Sequence, residues 1–143
     1  MADDVLDLYR EAILAHARDP HNATPVAEPD VRVRVHNPLC GDELELTLAL
    51  DGGSIRAIGV QVRGCAIAQA SASLMSEAVR SRDLRAAVAL GEGFRALMVG
   101  DPAALPPELE SLRPLEAVRH HRSRIACTLL AWDALREAAE HPA

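Results

Sequence analysis

A chain of 143 residues with 49% apolar content is long enough to fold around one core without disulfide staples, and too apolar to be disordered. A formal charge of −6 and 2% aromatic residues exclude the basic footprint of a nucleic-acid binder and the stacking platforms that hold single strands. All fifteen basic residues are arginine, so chemistry that needs a lysine, such as a Schiff base, is excluded too.

No apolar run approaches the ~20 residues needed to span a membrane. Met1-Ala2-Asp3-Asp4 is acidic where a leader would be basic. The expectation is one soluble, cytoplasmic domain over residues 1–143. In a reducing compartment three cysteines, an odd number, are not a disulfide framework, which leaves reactivity, metal binding or burial for Cys40, Cys65 and Cys127.

In chain order, Val5, Leu6, Tyr9, Ile13 and Ala17 fall at near-helical spacing over residues 4–18, and Pro20 lies beyond the end. Residues 19–30 hold three prolines without periodicity and read as a loop. Val31, Val33 and Val35 alternate with Arg32 and Arg34, and Leu44, Leu46, Leu48 and Leu50 alternate with more polar neighbours, so both runs read as strands. Asp51-Gly52-Gly53 is turn chemistry before a third strand, Ile55–Val62. Its apolar parity changes between Ala57 and Ile58, which marks a bulge or an edge. The sheet is expected to be antiparallel, wet on its charged face.

From Ala66 the period becomes helical, with small residues at Ala68, Ala70, Ser71, Ala72 and Ser73 that allow close approach. Asp83 caps a further helix whose middle Gly91 and Gly93 weaken, and Gly100-Asp101-Pro102 stops it. Residues 101–123 read as irregular with a helical turn or two, and a last helix begins near Arg124 with Ile125, Leu129, Trp132 and Leu135 as its buried stripe. Helix, three strands, then helices make an α+β domain with helices on one face of a three-stranded antiparallel sheet.

Each cysteine falls at an element boundary. Cys40 lies in the turn Asn37-Pro38-Leu39-Cys40-Gly41-Asp42, Cys65 follows Gly64 between the third strand and its helix, and Cys127 falls within the first turn or so of the final helix. A helix N-terminus offers free N–H groups and partial positive charge, which favour thiolate. Convergence of the three thiols with Asp42 at one end of the sheet makes a tetrahedral site for Zn²⁺ or an iron–sulfur cluster. The separations, 25 and 62 residues, match no zinc-finger or ribbon signature, so burial as space-filling side chains stays open beside the metal site. Ser71 and Ser73 have no base at a diagnostic spacing, which gives no support to a serine hydrolase. His36 reads as strand-end packing, His16 and His21 as surface or capping positions, and His120-His121 with Arg119, Arg122 and Arg124 as a solvated basic run.

At these residues the chain resembles the IscU/SufU/NifU-N family of iron–sulfur cluster assembly proteins. Leu8-Tyr9-Arg10, Asp19-Pro20-His21-Asn22, Asn37-Pro38-Leu39-Cys40-Gly41-Asp42, Gly64-Cys65-Ala66-Ile67 through Ser73, and Arg124-Ile125-Ala126-Cys127 carry the resemblance in order along nearly the whole chain. Scaffold-type IscU members place a histidine before the third cysteine and a Leu-Pro-Pro-Val-Lys segment upstream. Here Ala126 stands in the histidine position and that segment is absent, while the long interval from Cys65 to Cys127 and Arg124 resemble SufU. SufU members usually carry lysine where Ala126 stands, so this position matches neither pattern.

The resemblance implies a SufE/NifU-like fold and one Zn²⁺ held by Cys40, Asp42, Cys65 and Cys127, with a [2Fe–2S] cluster or iron as the alternative. It implies a zinc-dependent sulfurtransferase in which Cys40 takes persulfide sulfur from a SufS-type cysteine desulfurase, with Arg124 assisting; the alternative is a scaffold that passes a cluster to apo-proteins. Downstream SUF scaffold proteins or apo iron–sulfur proteins are the further partners it implies.

Overall fold

The structure, a computed structural model, describes residues 2–38, 41–101 and 104–140. The elements are α1 (Ala2–Arg18), β1 (Val31–His36), β2 (Glu43–Asp51), β3 (Ser54–Arg63), α2 (Ala66–Val79), α3 (Leu84–Met98), a 3-10 segment (Pro107–His120) and α4 (Arg122–Glu140). The strands form one antiparallel sheet in the order β1-β2-β3. Period-two alternation decides its register. Val31, Val33, Leu44, Leu46, Leu48, Ile58 and Val60 are all buried in the core, whereas Arg32 and Arg34 point outward and share Glu45 across the strands. The strand irregularity sits one step earlier than the parity change indicates. Ala49 pairs with Ala57 but Leu50 with Ile55, so Arg56 is the extra residue, on an edge strand.

Helices α2 and α4 lie on the apolar face of the sheet and against each other, and α1, α3 and the 3-10 segment pack chiefly on that pair. α2 is buried almost all round because its residues are small: Ala68, Ala70, Ser71, Ala72 and Ser73 are each at most 2% exposed. The buried hydroxyls are satisfied locally, Ser71 Oγ donating to the Thr128 carbonyl at 2.6 Å and Ser76 Oγ to the Ser73 carbonyl at 2.7 Å. The Ser71 bond also fixes α4 against α2.

Three local readings change. The outer face of the sheet is wet only around Glu45. Further along, Thr47 and Ala49 are buried because the Pro-rich loop crosses over them: Val26 N–H donates to Thr47 Oγ1 at 3.0 Å, and a Cβ on Gly59 would overlap the Thr24 carbonyl. Residues 107–120 are helical instead of irregular. Leu109, Leu112, Leu115 and Val118 are buried at intervals of three, the repeat of a 3-10 helix, and Pro114 within the run opposes α-helical bonding. Finally, Gly91 is less a weakness in α3 than a contact: a Cβ there would meet the Trp132 ring of α4. Asp83 caps α3 as its residue type indicates, accepting from the Ala86 N–H at 3.0 Å.

His16 and His21 are tied in more closely than surface positions. Ser73 Oγ lies 2.8 Å from His16 Nδ1 and accepts the His21 backbone N–H at 2.8 Å, while His21 Nδ1 lies 2.9 Å from Glu77 Oε1. Ser73 is 1% exposed, which places it in a structural tie and out of reach of a substrate. Burial, then the neighbouring His21, hold His16 below its ordinary pKa of 6.5, with Glu77 opposing.

Two predictions follow from this packing. Gly91→Ala improves helix propensity by about 1 kcal/mol but overpacks against Trp132 by about 1–3 kcal/mol, so urea denaturation should show net destabilisation. A depressed histidine pKa means that the unfolded chain binds the extra proton first. Stability is therefore full above 6.5 and falls as the pH drops through the folded-state value, and a His16→Gln variant should show a flatter acid limb in denaturation midpoint against pH.

Candidate metal centre

The hairpin turn between β1 and β2 is closed by two backbone bonds, Asn37 N–H to the Asp42 carbonyl at 2.7 Å and Gly41 N–H to the Asn37 carbonyl at 2.8 Å. Gly41 takes φ +75°, a left-handed conformation that a side chain resists. The turn delivers Asp42 inward, where it is 3% exposed. Its carboxylate meets the start of α2. Oδ1 accepts the Cys65 N–H at 3.1 Å and Oδ2 lies 3.4 Å from Cys65 Sγ. Gly64 makes this approach possible, since a Cβ at that position would collide with the Asp42 carboxylate.

Cys65 is the N-cap of α2, and its Sγ accepts the Ala68 N–H at 3.4 Å. This is the thiolate-favouring helix start that the sequence indicates. Cys127 is placed differently. α4 begins at Arg122, two residues earlier than expected, so Cys127 falls in the second turn, beyond reach of the free N–H groups. Asn37 Nδ2 approaches Cys127 Sγ at 3.9 Å, and Arg124 lies near both Cys127 and Cys65. The Cys65 charge first, and then the Cys127 hydrogen bond and charge, raise the Arg124 guanidinium above its ordinary pKa. Arg124 is itself exposed.

The ligating atoms of Asp42, Cys65 and Cys127 lie within 4.8 Å of one another. A tetrahedral zinc with Zn–S bonds of about 2.3 Å separates its sulfurs by about 3.8 Å, so a small contraction closes these groups around an ion. Two soft sulfurs with one carboxylate oxygen suit Zn²⁺ or iron better than a hard cation. Cys40, the turn cysteine, lies outside the described residues. His36 is exposed at the end of β1 and pairs across the strands with Glu43, and it takes no part in the cluster. The basic run is divided, Arg124 turning to the sulfurs while Arg119, His120 and Arg122 lie elsewhere. Asn37 and Gly64 were not singled out from the sequence as site positions. Their only signal was membership of the same short motifs, because their roles are contacts across the fold.

No described helix is long and apolar enough to cross a membrane. Residues 8–141 match the family described as NifU-like N terminal domain. The chain is 33% identical to the zinc-dependent sulfurtransferase SufU of Bacillus subtilis, covering 91% of this chain and 88% of that protein. It is also 33% identical to the iron–sulfur cluster assembly scaffold protein IscU of Streptococcus pyogenes, covering 95% and 85%. The crystal structure of a nitrogen-fixing NifU-like protein (N-terminal) from Brucella abortus superposes with a TM-score of 0.83 at 28% identity, over 94% of this chain and 93% of that one.

The contact at Gly64 yields a test. Gly64→Ala should push the Asp42 carboxylate from the two sulfurs and weaken Zn²⁺ or Co²⁺ binding by roughly 10–100-fold, as losing an orienting contact does. Competition with a chromophoric chelator reads the affinity, and unchanged affinity would refute the placement. By its sequence motifs, its fold and these relatives, the chain belongs to the NifU-like N-terminal domain family, which includes the IscU and SufU proteins.

Proposed function

We propose that this protein serves iron–sulfur cluster assembly as a zinc-dependent sulfurtransferase, accepting persulfide sulfur on Cys40 from a SufS-type cysteine desulfurase in the cytoplasm. The observation that carries the reading is the Asp42–Cys65–Cys127 cluster, with its three ligating atoms inside 4.8 Å, in a chain 33% identical to a protein named for that activity. Cys40 stands two residues before Asp42 and is the fourth proposed ligand. When bound, Zn²⁺ would supply charge that keeps the sulfurs deprotonated, with no redox chemistry of its own.

The chain's own residues do the rest. Asn37 Nδ2 points a donor at Cys127 Sγ, and Arg124 sets positive charge beside both sulfurs. Cysteines bind Zn²⁺ as thiolates, so binding releases their protons and metal affinity rises with pH. In the transfer step the Cys40 thiolate attacks the outer sulfur of the donor persulfide. A new S–S bond forms, the donor's S–S bond breaks, and the donor cysteine departs as a thiolate with no net oxidation. Arg124, exposed beside the sulfurs, is placed to meet the incoming negative charge. The sulfur then passes to downstream SUF scaffold proteins or apo iron–sulfur proteins.

The equal identity to a protein named as an IscU scaffold favours a second reading, in which the same ligands hold a [2Fe–2S] cluster for delivery. Metal analysis after purification, with a sulfide-release assay, separates them. Stable zinc, no cluster after anaerobic reconstitution, and stimulation of a SufS-type desulfurase that is lost in Cys40→Ala are expected. Equal stimulation by Cys40→Ala would reject the transfer role, and a transferable cluster would install the scaffold.

A further inference from the structure

The run Arg119-His120-His121-Arg122 acquires a use in three dimensions. It forms the passage from the 3-10 segment into α4, beside the C-terminal end of α3. There Val99, Ile125 and Leu129 help line a groove of about 640 Å³, and Arg119 and Arg122 stand among its walls. Val99 is 74% exposed, one of two large apolar side chains so open among the described residues. Ala126 also lines the groove, and its single methyl leaves the space clear.

Positions 122, 125, 126 and 129 fall at i, i+3, i+4 and i+7, one stripe of α4. Arg124 and Cys127 fall on the opposite side of the same helix, so the groove and the metal cluster lie on opposite faces of α4.

The cations of this wall are under-used. Arg122 makes no ion pair among the described residues. Arg119 Nη1 is buried and 3.9 Å from Glu116 Oε1, yet it has no hydrogen-bond partner. A carboxylate is the acceptor that an arginine fork such as the exposed Arg122 binds best. On a chain of net charge −6, an apolar floor whose lining includes two arginines and no acidic residue is a local reversal of the surface.

We propose that this groove receives a segment of another protein that presents an apolar side chain flanked by carboxylates. The apolar side chain lies against Val99, Ile125 and Leu129, and the carboxylates are met by Arg122, with Arg119 adding positive charge along the wall. This surface does not depend on which sulfur chemistry the cluster performs.

The test uses the full chain and fluorescein-labelled peptides: one with paired central leucines flanked by glutamates, one with serines for the leucines, and one with arginines for the glutamates. In low-salt anisotropy titrations, where ion pairs are least screened, only the first should bind saturably. Val99→Asp and Arg122→Glu, both at exposed positions, should each weaken it by about tenfold. Circular dichroism and bound zinc, measured alongside, should match wild type. No binding by the leucine–glutamate peptide, or equal binding by either control, overturns the proposal. So does sedimentation showing a concentration-dependent dimer that Val99→Asp disperses, because a second copy of this chain would then own the groove.

Discussion

The burial of the Asp42 carboxylate is the constraint on which the rest of the structure turns. A carboxylate at 3% exposure is tolerable only if its oxygens are bonded, and the Cys65 N–H at the start of α2 meets that need. The bond joins the β1–β2 turn to the junction of β3 with α2, two places 23 residues apart. Gly64 has to lack a side chain for the join to close. With α2 fixed at that end, the Ser71 hydroxyl reaches the Thr128 carbonyl and α4 is drawn in alongside. Cys127 arrives at the cluster by that route.

The two described sulfurs are then held by different physics. Cys65 is half-buried at a helix N-terminus, where its sulfur accepts a backbone N–H, while Cys127 is 1% exposed within a helix, with the Asn37 amide and Arg124 beside it. The described cluster is drawn from the β1–β2 turn, the start of α2 and the N-terminal part of α4, with the exposed Arg124 beside it. α4 serves two purposes at once, since a helix shows separate stripes to separate neighbours. One face holds Arg124 and Cys127, and the opposite face forms the wall beneath Val99.

Much of the fold was legible because period two and period 3.6 separate cleanly in this chain. Alternating valines and leucines placed the strands, and Asp83 and Asp51-Gly52-Gly53 marked a cap and a turn. The segment 107–120 was harder. Its leucines repeat at three, a period that neither strand nor α-helix patterns contain, so the prolines dominated its reading. The cover over Thr47 was not legible either, because a loop without periodicity gives no sign of the surface on which it lies.

By itself the sequence determined the elements, the sheet alternation and the motifs around Cys40, Cys65 and Cys127 that place the chain in its family, since these depend on local residue types and their order. Tertiary structure alone decided that Asp42, Cys65 and Cys127 share one small space, that Cys127 has the Asn37 amide and Arg124 beside it, and that Arg124 parts company with Arg119 and Arg122. The physical reason is the same in each case. These are contacts between segments up to 90 residues apart, made by the packing of α2 and α4 on the sheet, and no local pattern encodes which helix face meets which neighbour.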